Sequence, residues 1–297
     1  MFQRISIKFI IFLSIFTVAV IIANHFFSRL KKQSNPEVLS LSTSVIFTPT
    51  SVPVLDCFDS VVSIKESGVK GFYSSLWWVN SGGMVDGVNG ICKTVQGSLP
   101  TNDKWRLLYS KNNPKDTDDG YHPQNMLRLV NLKLYKDFYQ QVSFKINKIN
   151  LSASDNRNQS NGVLLFNRYQ DGNNLYYLGV RVDGHAIIKK KQNGIYFTLA
   201  EKQIFPGKYD RNTNPNLLPL NTWLRIKSEL VNTTDSTVRI RFYLDTTSSG
   251  EWSQVFEYLD SKNSVTGIPI LNAGYGGIRS DFMDIEFKDF EIKASTF

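Results

Sequence analysis

Between Asp56 and Phe297 the apolar residues recur at every second position in one segment after another, the period of strands and not of helices. "QVSFKIN" sets Val142, Phe144 and Ile146 on one face against Gln141, Ser143 and Lys145 on the other. "LYYLGVRVDG" sets Leu178, Val180 and Val182 inward and turns at Asp183-Gly184; "HAIIKKKQNG" turns again at Asn193-Gly194 into "IYFTLAE". Asp-Gly and Asn-Gly are hairpin signals because tight turns between twisted strands need residues that accept positive φ. "TWLRIKSEL" then gives Leu224 and Ile226, "VRIRFYLD" gives Ile240, Phe242 and Leu244, and the C-terminal "DFMDIEFKDF" gives Ile285 and Phe287. No long capped amphipathic helix and no internal repeat interrupts the pattern. The expected fold is therefore all-β, an antiparallel two-sheet sandwich of roughly 10 to 14 strands.

The start of the chain sets the expected compartment. "MFQRISIK" carries Arg4 and Lys8, and an unbroken apolar run follows from Phe9 to Ala23. With its flanks this stretch reaches about 23 residues, enough to span a bilayer, and no small-x-small cleavage site follows it. Residues 1–29 are read as an uncleaved signal-anchor, residues 30–55 as a Ser/Thr/Pro-rich linker and residues 56–297 as one domain. Arg29, Lys31 and Lys32 oppose Arg4 and Lys8 across the segment, so charge alone does not orient it. The two cysteines, Cys57 and Cys92, read most economically as a disulfide formed outside the cytoplasm, with two buried thiols as the alternative. The expected product is a single-pass membrane protein with its C-terminal domain outside the cytoplasm, or a secreted one if the segment is removed.

The formal net charge is +8, and aromatic residues make up 13% of the chain. A nucleic-acid partner would suit that charge but not a secretory start. No Gly-x-x-x-x-Gly-Lys loop or strand-led Gly-x-Gly-x-x-Gly is present to cradle a nucleotide.

The order of pieces from "YYLGVRVDGHAIIKKKQNGIYFTL" through "LPLNTWLRIKSEL", "VRIRFYLD" and "EWSQVFEYLD" to "GYGGIRSDFMDIEFKDFEI" resembles the concanavalin A-like lectin and glucanase superfamily. The likeness is greatest to laminin-G-type and keto-disaccharide-hydrolase-type jelly rolls. It covers residues 120–297, and 56–119 by continuity only. These motifs are structural, so the resemblance implies a jelly-roll fold more firmly than any activity.

Four groups of residues could carry chemistry. In the glucanase branch the catalytic strand resembles Glu-x-Asp-x-Glu, since a retaining hydrolase needs two carboxyls about 5 to 5.5 Å apart. The matching triplet here is Phe282, Asp284, Glu286, which lacks the first Glu and lies on the closing strand. Asp284 and Glu286 are accordingly expected on a solvent-facing edge beside Lys288, with Arg279 pairing one of the acids.

The second group is the loop "NPKDTDDGYHPQNMLRL". Tyr121 and His122 could serve a lyase as its base, with Arg168, Tyr169, Tyr209 and Arg211 among the groups suited to a uronate. In the same loop Asp116, Asp118 and Asp119 approach a calcium pattern but miss its alternate spacing, so an Asx turn competes with a structural calcium ion.

Third, the faces opposite the core carry Tyr177 and Arg181, Lys189 and Lys191, Arg225 and Lys227, and Arg239, Arg241 and Tyr243. Such a ladder suits an anionic polysaccharide if its members share a sheet, because arginine matches carboxylate or sulfate and tyrosine stacks on sugar rings. Fourth, Trp77 and Trp78 point to opposite faces, one towards the core and Trp78 a candidate sugar platform, while Tyr209 and Arg211 lie in a long polar loop.

The residues favour a membrane-tethered carbohydrate-binding domain with a preference for acidic polysaccharide. No cofactor is expected, with a structural calcium ion in the Asp116–Asp119 loop as the alternative to an Asx turn. The alternatives are a polysaccharide lyase or glycoside hydrolase, and a structural adhesion domain without sugar affinity.

Overall fold

The computed structural model describes residues 44–45, 62–234, 236–263 and 265–295, and within them sixteen strands pair antiparallel into two sheets. In spatial order the nine-stranded sheet runs β1 (Ser44–Val45), β14 (Trp252–Ser261), β13 (Thr237–Asp245), β12 (Trp223–Thr234), β7 (Phe138–Ile149), β16 (Met283–Ala294), β5 (Ile91–Thr94), β4 (Met84–Val88) and β2 (Val62–Lys65). The seven-stranded sheet runs β11 (Ile195–Gln203), β10 (His185–Gln192), β9 (Asn174–Arg181), β8 (Gly162–Asp171), β15 (Gly274–Asp281), β6 (Met126–Tyr135) and β3 (Trp77–Ser81). Sixteen strands exceed the expected number because short strands such as β4 and β5 carry too few residues to show a period.

Alternation places the core as read. Val142, Phe144, Ile146, Leu178, Val180, Ile240, Phe242, Leu244, Ile285 and Phe287 join one apolar cluster drawn from the inner faces of both sheets. Each fully buried Leu, Ile, Val or Phe contributes about 1.5 to 3 kcal/mol. The Asn193-Gly194 turn between β10 and β11 has positive φ at both residues, 51° and 84°. That is the conformation the two-residue hairpin requires, and glycine and asparagine meet it at least cost.

One polar clasp crosses this core. Lys190 on β10 and Asp260 on β14 are both wholly buried, with the Lys190 Nζ donating to the two Asp260 carboxylate oxygens at 2.9 and 2.8 Å. The Tyr176 hydroxyl donates to Asp260 at 2.6 Å, and the Ile270 N–H donates to Tyr176 at 2.9 Å. Burial pushes the Asp260 carboxyl upward against the opposing pull of Lys190 and Tyr176.

Two expectations are corrected. The strand β16 is not an edge: it lies between β7 and β5, inside the nine-stranded sheet. A nine-residue helix, α1 (Lys104–Asn112), also interrupts the β pattern, capped by the Asp103 carboxylate, which accepts from the Trp105 and Arg106 N–H groups. Only Trp105 and Tyr109 of this helix are buried, while Leu107 and Leu108 face solvent, so no apolar stripe announces it.

The signal-anchor, nearly all of the linker, and Cys57 lie outside the described residues; Cys92 is buried on β5. Among the described residues no helix is long and apolar enough to cross a membrane.

Candidate functional site

Strand register fixes which side chains share the outward face of the seven-stranded sheet. Arg128 of β6 pairs with Arg279 of β15, Arg279 with Leu164 of β8, Leu164 with Gly179 of β9, Gly179 with Ile187 of β10 and Ile187 with Glu201 of β11. One row further along, Trp78, Val130, Gly277, Phe166, Tyr177 and Lys189 follow in the same manner. Beyond these lie Tyr275 opposite Tyr169, and Leu175, Lys191 and Tyr196. In the other direction Asp281 and Arg181 stand opposite Met126 and Gly162. An aromatic band thus runs across five strands with cations on both sides of it.

The floor of the band is a second apolar cluster that includes Trp78, Phe166, Tyr169, Tyr177 and Ile187, with Tyr275 packed against it. Trp77 points the other way, into the core. Trp78 is only 9% exposed, its Nε1 donates to the Ser67 carbonyl at 2.8 Å and Lys70 lies over its ring, so it is the base of the platform and not its open surface. Tyr196 is 52% exposed above Tyr177, with ring centroids 6.1 Å apart. Phe72 and Tyr73, both exposed, stack edge to face in the loop that carries Lys70, and Lys70 also sits 4.5 Å from the Tyr275 ring.

Arg279 organises the electrostatics. Its Nε donates to Asp281 at 2.8 Å, and its guanidinium lies 5.4 Å from the Tyr177 ring. Burial pushes the Tyr177 phenol up to about 12, against Arg279. At Tyr196 burial also acts upward, but the Arg279 and Lys191 cations outweigh it and hold that phenol below its ordinary value. Burial, then Arg181, lowers the Lys189 ammonium.

Arg181 forms ion pairs with Asp183 and, at 3.1 Å, with Glu201. Asp183, His185 and Glu201 bring ligand atoms within 4.8 Å of one another, but the Arg181 guanidinium already fills the cation's place. Arg128, Lys189, Lys191 and Lys70 have no ion-pair partner among the described residues.

The remaining sequence candidates go elsewhere. The basic ladder divides: Tyr177, Arg181, Lys189 and Lys191 lie on this face, whereas Arg225, Lys227, Arg239, Arg241 and Tyr243 belong to β12 and β13 of the other sheet. Arg168 is fully buried at a bulge with φ 49°, and it donates to the Lys136 and Ile270 carbonyls, Asn232 and Asp137. It is a strut, with no face towards a ligand. Arg211 donates to the Ala153 and Ser154 carbonyls and pins its loop, while Tyr209 packs against the core.

Asp284 is not solvent-facing. A bulge between Asp284 and Ile285 leaves it 3% exposed, accepting from the Gly97 N–H at 2.7 Å, Gln124 at 2.8 Å and Asn150 at 2.9 Å. Glu286 lies on the outward face of the nine-stranded sheet between Lys145 and Lys93, at 2.7 and 3.3 Å. The two acids therefore do not face a common groove as a hydrolytic pair must. In the polar loop, Asp116 accepts from Ser154 and Asn156, and Asp118 from His122, Ser152 and Asn125. Asp116 and Asp118 thus take separate sets of donors within the loop and its neighbours. Tyr121 stacks under Arg106 at 3.8 Å.

Sequence reasoning missed Arg128, Tyr196, Tyr275 and the Lys70 loop. Arg128 was readable from "MLRLV", where Leu127 and Leu129 point inward and the residue between them must point out.

No protein-family model matches the sequence, and no curated protein matches it. Among solved structures, the chain is similar to a carbohydrate-binding module, CBM66, from Bacillus subtilis, at 14% identity and TM-score 0.45 over 73% of this chain and 95% of that one. It is similar to a Bacillus licheniformis β-glucanase at 9% identity and TM-score 0.38 over 80% and 99%. The exoplasmic/lumenal domain of VIP36 in a Ca²⁺/Man-bound form is similar at 10% identity and TM-score 0.34 over 79% and 97%. At these values the likenesses say nothing about activity. The two-sheet antiparallel sandwich itself fits the concanavalin A-like jelly roll that the sequence resembles.

Proposed function

We propose that the protein binds carbohydrate on the outward face of its seven-stranded sheet and prefers acidic polysaccharide. The observation that carries this reading is the aromatic band bordered by Arg128, Lys189, Lys191 and Lys70, cations without carboxylate partners among the described residues. Apolar ring faces of sugars stack on Tyr196, Tyr275 and the Phe72-Tyr73 pair, while arginine and lysine meet carboxylate or sulfate groups. The amino-terminal sequence supports holding this face outside the cytoplasm on a single-pass anchor, with Cys57 and Cys92 joined.

The test is retention of the full-length chain on arrayed neutral and acidic polysaccharides, with the glycans sized afterwards. Salt-sensitive retention of intact acidic chains is expected. Shortened glycans would replace the binding reading with an enzymatic one, and no retention would leave a structural adhesion role.

A further inference from the structure

Ser98, His122 and Asp118 form a hydrogen-bonded chain distinct from the sheet face. The His122 Nδ1 lies 2.8 Å from the Asp118 Oδ2, and its Nε2 lies 2.9 Å from the Ser98 Oγ. A carboxylate only accepts, so the ring proton sits on Nδ1; a neutral ring then accepts at Nε2, and the Ser98 hydroxyl donates to it. This is the polarity that lets an imidazole take a serine proton as the hydroxyl attacks. Ser98 is exposed, while His122 and Asp118 are partly buried behind it.

Both loops are built to hold this geometry. On one side of Ser98 the Gly97 N–H donates to Asp284 and the Gly97 carbonyl accepts from Gln124; on the other the Leu99 N–H donates to the Tyr121 carbonyl at 2.9 Å. Asp118 is fixed through its second oxygen by the Ser152 hydroxyl at 2.6 Å, and Asn125 donates to the first at 3.3 Å. The loop presses on α1 at Gly120, where φ is 81° and an added Cβ would stand 2.1 Å from the Arg106 carbonyl oxygen. The Ser98 N–H has no acceptor among the described residues.

We infer that Ser98, His122 and Asp118 are an acyl-transfer site that hydrolyses carboxylic esters presented at the surface. The Ser98 Oγ bonds to the ester carbonyl carbon as its proton passes to the His122 Nε2; the C–O bond to the alcohol breaks and that proton leaves with the alcohol. Water then adds to the acyl-serine, gives its proton through His122, and releases the carboxylic acid with Ser98 restored. Ser98 and His122 are the catalytic residues, and Asp118 positions the ring. The site is independent of glycan binding.

The test treats the full-length chain with a biotinylated fluorophosphonate and with p-nitrophenyl acetate. Labelling mapped to Ser98 is expected, and both labelling and hydrolysis should fall about 100-fold or more in Ser98→Ala and in His122→Gln at an unchanged melting temperature. Because Ser98 is exposed, the alanine variant separates chemistry from folding. An unlabelled wild-type chain overturns the site, as does hydrolysis that survives Ser98→Ala or Ser98 labelling that persists unchanged in His122→Gln.

Discussion

The outward face of the nine-stranded sheet and that of the seven-stranded sheet are made by the same alternation, but their charges have different partners. On the first, Glu286 lies between Lys145 and Lys93, Arg241 bridges Glu229 at 3.1 Å and Glu257 at 2.7 Å, and Lys293 pairs with Glu291. Arg225 faces Asp245 across the ladder at 3.6 Å, and Trp252 lies beside the same cations, with Lys227 4.2 Å and Arg225 4.8 Å from its ring. On the second face Asp281 and Asp183 each take one arginine, and Arg128, Lys189 and Lys191 are left beside aromatic rings. Counting lysines and arginines along the sequence does not separate these cases. A cation is available for recognition only where the residue across the ladder is not its counter-ion.

The largest effect expected is on the frame that both faces share. Asp260→Ala leaves the Lys190 ammonium buried without its partner and should cost about 3 to 5 kcal/mol in urea denaturation. Retention of full stability would show that the clasp does not couple the sheets.

Next comes a cation on the paired face. Burial, with Arg225 beside it, lowers Lys227 to about 8. Its folded value lies below its unfolded one, so protonation favours unfolding and stability falls as pH drops from about 10.5 to about 8. With each pKa unit worth about 1.4 kcal/mol, the swing is about 3 kcal/mol, and Lys227→Met should flatten it. A pH–stability curve unchanged by the substitution would remove burial as the dominant influence on that site.

The comparison sharpens on affinity. Replacing both Arg128 and Tyr196 by alanine should weaken binding of an acidic polysaccharide roughly 10- to 100-fold, while Arg241→Ala on the paired face should leave it unchanged. Equal losses from the two variants would mean that charge, and not its arrangement, drives binding.

The smallest effect belongs to Glu286. Burial acts upward on it, but Lys145, Asn147 and Lys93 prevail and hold it below the usual carboxylate range. Its contribution is present above the ordinary carboxylate value and is lost as pH falls through the lowered one. Glu286→Gln should cost up to about 1 kcal/mol at pH 7 and little in strong acid, by thermal melting at both.

Most of the fold was legible because burial on one face writes a period of two into each long strand. Val142, Phe144 and Ile146 are an instance, and the turn at Asn193-Gly194 follows from φ alone. What the period cannot carry is a bulge. One between Asp284 and Ile285 turns the acid away from solvent, and the bulge at Arg168 with φ 49° converts a candidate ligand contact into a buried strut. Sheet membership is also unwritten, since β9 and β12 read alike yet lie in different sheets. His122 was noticed by residue type, but its partners Ser98 and Asp118 meet it only through tertiary bonds such as that from Leu99 to Tyr121.

The most direct measurement is hydroxyl-radical footprinting of the full-length chain with and without polygalacturonate, because one experiment reads both faces. Protection of Tyr196, Tyr275 and Phe72, with the exposed Leu259 of the nine-stranded sheet unchanged, is the predicted result. Protection centred on Leu259, or none on either face at saturating polysaccharide, would contradict the assignment of binding to the seven-stranded sheet.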